Sequence, residues 1–387
     1  MEQFGKQQNN QFCQTPLCTS NIRRAISRSI KSGCQTDRGG EMLTAIGNTP
    51  LVKLKLNEQS KSEVFAKLEL LNPFGMKDRV AKNIILRAKE KGILRPSEPI
   101  IESSSGTMAC GVALVGKALG HEVHIVTDPR IDEITYAKLS SLGCKVHIVK
   151  EMNTKGWQGA RLKKLYSLLE EYPTAFWLRQ YDNPDNPLAY HDLVEEVMRE
   201  LNGVDILVAS VGSGGSISGT AKALKKYNKN LKVVAVDATG SVIFGQPDRP
   251  ERLQSGIGNS LVAKNVDFAV IDEVHWLNDE ESFLATLQLA KEEQIFAGNS
   301  SGSVYAVARW LSTQMDSGMK ILSIFPDRGD RYFNTIYHKS FRTEKGIRDE
   351  KGLRSPVRIP RSSIATSWSY TSLRGMDDHK TEKTTAY

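Results

Sequence analysis

Residues 71–79 read LNPFGMKDR. The apolar, strand-like run EVFAKLEL before them stops at Asn72-Pro73, and Phe74-Gly75 turns the chain. Lys77 and Asp78 follow, and RVAKNIILRAKEKG continues with helical spacing. A lysine therefore stands at a tight strand-to-helix junction. The positive end of a helix dipole disfavours a second positive charge and lowers the pKa of an amine placed there. A deprotonated amine can attack a carbonyl and form a Schiff base. Taken alone, the same residues also suit a surface lysine followed by an early-helix carboxylate.

Working outward, the junction belongs to an alternating series. From residue 42, apolar runs rich in β-branched residues occur at PIIES, EVHIVT, KVHIV, AFWLRQ, DILVASV, LKVVAVD, FAVIDEV and KILSIF, with helical patterns between them. Continuous apolar strands separated by helices predict an α/β fold with mainly parallel sheets flanked by helices. Roughly eight such strands in 387 residues imply two sheets and two domains with a cleft between them. In such folds ligands bind where strand ends meet helix N-termini.

Composition narrows the class. The hydrophobic content is 40%, enough for a large core, and no apolar run reaches the roughly 18 residues a membrane span needs. No secretory leader is evident at the N-terminus. Cys13, Cys18, Cys34, Cys110 and Cys144 are scattered, without a CxxC pair or a nearby histidine, so free thiols in a reducing, cytoplasmic compartment are expected and a metal site is not. The net charge of +8 sits in the tails: residues 42–338 hold 35 basic and 35 acidic side chains. A nucleic-acid-binding face on the core is therefore not expected. Residues 1–41 and 339–387 are polar and basic and are expected to be disordered, with IRRAISRSIKS at 22–32 able to form a short amphipathic turn.

Three more turns carry chemistry. IESSSGTMACG at 101–111 places Ser103, Ser104, Ser105 and Thr107 between a strand and a helix, either as a carboxylate cradle or as simple caps. DILVASVGSGGSISG at 205–219 runs a buried strand into Gly212, Ser213, Gly214, Gly215 and Ser216, a phosphate cup. No GK[ST] follows, which excludes a kinase-type loop. Asp237 keeps a dinucleotide site open, although Ile217 occupies the place of that motif's third glycine. IFAGNSSGSVYAVARW at 295–310 opens a helix with Gly298, Asn299, Ser300 and Ser301. A phosphate cup, a Schiff-base lysine, a carboxylate cradle and a ring-nitrogen partner together suit pyridoxal phosphate and an amino-acid substrate.

Residues 42–338 resemble the cysteine synthase / cystathionine β-synthase family, the fold-type II pyridoxal-phosphate enzymes. The likeness lies in IGNTPLVKL at 46–54, NPFGMKDR at 72–79, QYDNPDNP at 180–187, GSGGSISG at 212–219, QSGIG at 254–258 and GNSSGS at 298–303. It implies that Lys77 carries the cofactor and later acts as base and acid. It places the cofactor phosphate on Gly212, Ser213, Gly214, Gly215 and Ser216, and Ser300 at the pyridine nitrogen with Ser301 as the alternative. Ser104, Ser105, Thr107 and Gln180 would take the substrate carboxylate, and Gly256 and Gly258 would border the cleft. It also implies a large domain of residues 42–80 and 180–338, a small mobile domain of 81–179, and a homodimer acting on small amino acids. With a neutral serine at the ring nitrogen, β-elimination from an O-activated L-serine to an aminoacrylate, followed by addition of a nucleophile, is the expected chemistry.

The chain departs from the family pattern at Thr107, where an Asn that also contacts the cofactor is usual, at Met108 and Cys110, and at HDLVEE after Gln180. AVDATGSVIFG at 235–245 and PDRGDRYFNTIY at 326–337 look more like a branch that joins O-phosphoserine to glutamate in diaminopropionate synthesis. The expectation is thus a cysteine-synthase-like transferase using O-phospho- or O-acetyl-L-serine and a sulfur nucleophile, with an amine nucleophile as the alternative. Arg130, Arg249 and Arg252 are candidates to favour a phosphate leaving group. A nicotinamide-binding oxidoreductase and a non-catalytic binding relative are the alternatives of other classes.

Overall fold

A computed structural model describes residues 37–56, 59–153, 156–348 and 352–374. In chain order its elements are β1 (Leu51–Lys53), β2 (Glu63–Lys67), α1 (Lys77–Glu90), β3 (Ile100–Ser103), α2 (Thr107–Ala118), β4 (Val123–Thr127), α3 (Glu133–Ser141), β5 (Lys145–Ile148), α4 (Gly156–Glu171) and β6 (Phe176–Trp177). There follow α5 (Asp185–Leu188), α6 (His191–Glu200), β7 (Ile206–Ser210), α7 (Gly215–Leu224), β8 (Lys232–Ala238), β9 (Glu273–Leu277), α8 (Asp279–Glu293), α9 (Asn299–Gln314), β10 (Lys320–Ile324), α10 (Lys339–Glu344), β11 (Val357–Arg358) and β12 (Ser369–Ser372).

The strands form two sheets, ordered β1-β2-β10-β7-β8-β9-β12-β11 and β5-β4-β3-β6. Every residue of β4 and β7 is buried, which is why these runs read as continuous apolar strands rather than alternating ones. Pairing is parallel from β2 through β10, β7 and β8 to β9 and throughout the small sheet. It is antiparallel for β1 with β2 and for β12 with β9. The chain leaves the large sheet after β2, builds the small one, and returns at β7. One continuous apolar cluster spans both parts, including Ile84, Val112 and Ile100 with Leu193 and Leu207. No helix among the described residues is long and apolar enough to cross a membrane.

A buried ionic network fixes the junction between β2 and α1. Arg79, on the first turn of α1, places Nε 2.6 Å from Glu69 Oε2 and Nη1 2.8 Å from Glu196 Oε1, and Nη2 reaches both carboxylates. Lys67 at the end of β2 sits 2.7 Å from Glu196. Thr49 donates its hydroxyl to Glu69 at 2.6 Å, and the Asn48 amide donates to Glu196 at 2.9 Å. Asn72 donates to Glu69 and accepts from the Gly47 amide. The segments IGNTP and LNPFGMKDR are thus bound to one another and to α6 by two cations and two anions that water barely reaches. Burial opposes ionisation of Glu196, but Arg79 and then Lys67 outweigh it and hold its carboxyl at about 2.

Three expectations are corrected. FAVIDEV is not one strand: the Asp267 side chain accepts from the Ala269 amide, curls Phe268–Val270 into a 3-10 turn, and delays β9 to Glu273. AFWLRQ keeps only Phe176 and Trp177 extended in a strand, because Arg179 takes φ +57° and ends the extended run. The tails are more structured than their composition suggests. A 3-10 helix already begins at Asp37, and α10, β11 and β12 lie within 339–374. The cause at the C-terminal end is a few apolar anchors: Ile347 joins a cluster with Tyr332 and Ile336, Ala365 enters the main core, and the aromatic residues of β12 and the turn before it pack on β9. Trp368 is buried and donates to His275 Nδ1 at 3.1 Å, and Tyr370 stacks on His275 with centroids 5.0 Å apart. The turn at 22–32 and Cys13, Cys18 and Cys34 lie outside the described residues.

Glu196→Gln leaves Arg79 and Lys67 under-compensated in a buried site and should cost about 3 kcal/mol in denaturant unfolding at pH 7. Since the folded carboxyl is depressed, its stabilisation is present above about pH 4.5 and is lost as pH falls toward 2, so the wild-type advantage should shrink over that window. Trp368→Ala should destabilise the protein by about 3–5 kcal/mol in the same measurement. A loss below about 1 kcal/mol would show that the C-terminal strand is not anchored there.

Candidate active site

The Lys77 turn is set by its neighbours. Gly75 takes φ +125°, in the left-handed region that a side chain would strain. Asp78 Oδ2 accepts the Phe74 amide at 2.7 Å, and the Met76 amide donates to Pro326 O at 2.8 Å, so the turn is pinned to the end of β10. Lys77 is the first residue of α1, half-buried, with Nζ 3.5 Å from the Tyr190 hydroxyl. Burial pushes its amine down to about 8, against the attraction of Asp327. About a tenth of Lys77 is therefore free amine at pH 7, far more than for a solvated lysine. Burial also pushes the Asp78 carboxyl up to about 7, although the Phe74 and Gly75 backbones donate to it.

The serine-rich turn between β3 and α2 faces the same space. Ser104 Oγ accepts the Gly106 amide, Gln180 Nε2 holds Ser103 O at 3.1 Å, and Thr107 opens α2. A methyl group built on Gly75 would lie 3.5 Å from both Thr107 Cγ2 and Asp327 Cβ, so the Lys77 turn, Thr107 and Asp327 are close neighbours.

The glycine-serine turn after β7 has the form of an anion cup. Gly214 takes φ +81°, and a Cβ there would strike Val266 at 2.4 Å. A Cβ on Gly215 would strike Asn186 at 2.1 Å. Ser213 and Ser216 are buried, and α7 starts at Gly215 with no side-chain cap, leaving its first amides to a ligand. QYDNPDNP braces this cup: Asn186 Nδ2 donates to Gln180 O at 2.6 Å and approaches Ser213 Oγ at 3.4 Å. The QSGIG turn closes it from the other side, since Gly256 O lies 3.3 Å from a Cβ built on Gly212. Gly256 and Gly258 take φ +77° and +72°, and the Gly258 amide donates to Val211 O.

Ser300 and Ser301 are buried in the first turn of α9, and Ser301 Oγ has no protein partner. Beside them Asp327 Oδ2 accepts from the Tyr332 hydroxyl at 2.8 Å while Oδ1 is buried and unpartnered. Burial raises the Asp327 carboxyl, with Arg331 opposing it. The glycine cup, the Lys77 turn, the serine-rich turn and the α9 N-terminus therefore surround one cleft, with Gly256, Tyr332 and Asp327 linking them. These residues fit pyridoxal phosphate: helix amides for its phosphate, a depressed lysine for its aldehyde and a hydroxyl for its ring.

Two of the three arginines expected to favour a phosphate are tied up elsewhere, and the third sits at the rim. Arg130 is half exposed and bound to Asp128 at 3.0 Å, and Arg249 is exposed beside Glu251. Arg252 donates to Gly240 O and Asp248, although its Nε lies 3.3 Å from a Cβ built on Gly258. An arginine that does reach a hydroxyl of the serine-rich turn is Arg161 on α4, whose Nη1 is 3.4 Å from Ser105 Oγ. Its helical pattern, ARLKKLYSLLEEY, gave no local sign of this; only the fold brings it there. Asp327, Arg331 and Tyr332 were visible as PDRGDRYFNTIY, but their place in the cleft was not.

A family model described as pyridoxal-phosphate dependent enzyme matches residues 42–327. Among similar solved structures is an O-acetylserine dependent cystathionine beta-synthase from Helicobacter pylori, 31% identical, with TM-score 0.70, covering 77% of this chain and 98% of that one. Another is O-acetyl serine sulfhydrylase isoform 3 from Entamoeba histolytica, 30% identical, TM-score 0.71, covering 79% and 95%. A third is an O-ureido-L-serine synthase, 28% identical, TM-score 0.71, covering 76% and 93%. With its cup, its lysine and a match over most of its length, this chain belongs to the pyridoxal-phosphate dependent enzymes.

Proposed function

We propose that the protein catalyses β-replacement on an O-activated L-serine, with O-phospho-L-serine favoured over O-acetyl-L-serine and a sulfur nucleophile such as sulfide as second substrate. Bound pyridoxal phosphate supplies an electron sink for the substrate's α-carbon. Lys77 Nζ holds the cofactor and, once released, moves the α-proton. The backbone of Gly212, Gly214 and Gly215 and the hydroxyls of Ser213 and Ser216 hold the cofactor phosphate, and Ser300 meets its ring nitrogen without adding charge. Ser104, Ser105, Thr107 and Gln180 orient the substrate carboxylate. Residues 42–80 and 180–338 form the cofactor lobe and 81–179 a smaller mobile lobe, in a cytoplasmic homodimer. The neighbours' names, built on O-acetylserine and O-ureido-L-serine, support an O-substituted serine as the substrate class.

The observation that carries the phosphate preference is Arg161. Its guanidinium points at the cradle through Ser105 and is almost fully buried. Its Nε has no hydrogen-bond partner and lies 3.5 Å from Asp128, a buried carboxylate that it shares with the exposed Arg130. The next anion, Glu102, is pushed up to about 7 by burial, against its bond from the Ser103 amide and the pull of Arg161. Arg161 is thus a buried cation with partial compensation, and a substrate phosphate supplies the missing charge.

Borohydride reduction of cofactor-loaded enzyme should leave a pyridoxyl adduct on the tryptic peptide containing Lys77 and none in Lys77→Ala. The rate at which apoenzyme takes up cofactor should rise through about pH 8 rather than near 10.5. An unmodified Lys77 peptide from folded, loaded protein rejects the assignment. Arg161→Ala should raise KM for O-phospho-L-serine about tenfold to a hundredfold and change KM for O-acetyl-L-serine little. Equal losses with both esters would remove the phosphate reading. Product mass with sulfide against glutamate decides between a thiol and an amine as nucleophile.

A further inference from the structure

Arg331 is held very differently from Arg161. Its Nε and Nη2 lie 3.2 and 3.1 Å from Asp132 Oδ2, and its Nη1 lies 3.5 Å from Asp327 Oδ2. Only 13% of its side chain is exposed, and Cζ stands 5.2 Å from the centre of the Tyr332 ring. Two carboxylates therefore flank one guanidinium, Asp132 in direct hydrogen bonds and Asp327 at longer range. Its partners come from opposite sides of the cleft. Asp327 and Arg331 follow β10 in the large sheet. Asp132 caps α3, which precedes β5 of the small sheet, and accepts the Thr135 amide at 2.8 Å and the Thr135 hydroxyl at 2.7 Å. Gly106 of the serine-rich turn packs directly on the same guanidinium: a Cβ there would sit 3.2 Å from Nη1.

We propose that Arg331 is a positioning residue: the Asp132–Arg331–Asp327 bridge fastens α3 and the 103–107 turn to the large sheet and sets the cradle's height over Lys77. The inference rests on reading that turn as the substrate-carboxylate cradle. Three features support it. The guanidinium packs so close to the cradle that Gly106 has no room for a side chain without crowding it. The bridge ends on a helix cap, so a pull on Asp132 moves all of α3 rather than one side chain. The same helix makes a second contact across the cleft, with Lys138 Nζ 5.4 Å from the centre of the Phe74 ring beside Lys77. Losing the bridge frees the cradle while leaving the cofactor cup, which is built on β7 and α7, in place.

The test uses Asp132→Asn and Arg331→Lys in the full-length, cofactor-loaded enzyme. Asn is a good helix cap, so the first variant keeps an acceptor for the Thr135 amide while replacing the oxygen that faces Arg331 with an amide NH2 and removing the charge. Lysine keeps the charge of Arg331 but not its two-pronged geometry. Expected for both are unchanged cofactor absorbance, faster amide exchange at 103–107 and 131–141, and KM for the serine ester raised at least tenfold with kcat changed less than threefold. Arg331→Lys, which can still pair with one carboxylate, should be the milder. Unchanged exchange in both variants overturns the bridge, as does loss of kcat with KM untouched. Amide exchange needs no turnover. If the wild type turned over neither ester, the proposed function would fall while the exchange result still judged the bridge.

Discussion

Burying four formal charges beneath a catalytic turn is costly unless each finds its partner, and this constraint shapes the rest of the structure. Arg79 can satisfy its fork only if Glu69 and Glu196 stand on either side of it, and Glu196 also needs Lys67 and the Asn48 amide. That requirement fixes β2, the IGNTP segment, α6 and the first turn of α1 relative to one another. Lys77 lies two residues before Arg79, so its direction is inherited from the network. Such networks contribute little net stability against an apolar core of the same shape, but breaking one partner is severe. They suit a place where one geometry must be specified and alternatives penalised.

Above that platform, electrostatics sorts the basic groups by how completely they are neutralised. Lys77 loses solvation and gains only the distant pull of Asp327, which leaves an amine that gives up its proton easily. Arg331 sits between two carboxylates and serves architecture. Arg161 shares one buried carboxylate, Asp128, with Arg130, and its Nε has no hydrogen-bond partner. Three cations of similar formal charge thus take different parts because their counter-ions differ.

Much of this was legible in the sequence where the demand is local. A left-handed backbone at Gly75 and Gly214, or uncapped amides before α7, calls for glycine and small polar residues at the site itself, and the letters show it. Partnerships across long separations leave no such trace: Glu196 is 117 residues from Arg79, and Asp132 is 199 from Arg331. The C-terminal segment was misread for a third reason. Its average composition is polar, and an average conceals a few anchors such as the tryptophan that finds a histidine 93 residues away. The FAVIDEV run failed more simply, because the carboxylate just before it bent the chain.

The position of β12 carries a consequence for solubility. It pairs antiparallel along four residues of β9, a strand whose side chains are all buried, and the family match ends at residue 327, well before it. A chain cut back to that match would present β9 as an open edge of unpaired backbone donors and acceptors. Such edges recruit strands from neighbouring molecules. The added segment therefore acts as a selvedge: it covers β9 and leaves as the sheet's border on that side only β11, a strand of two residues.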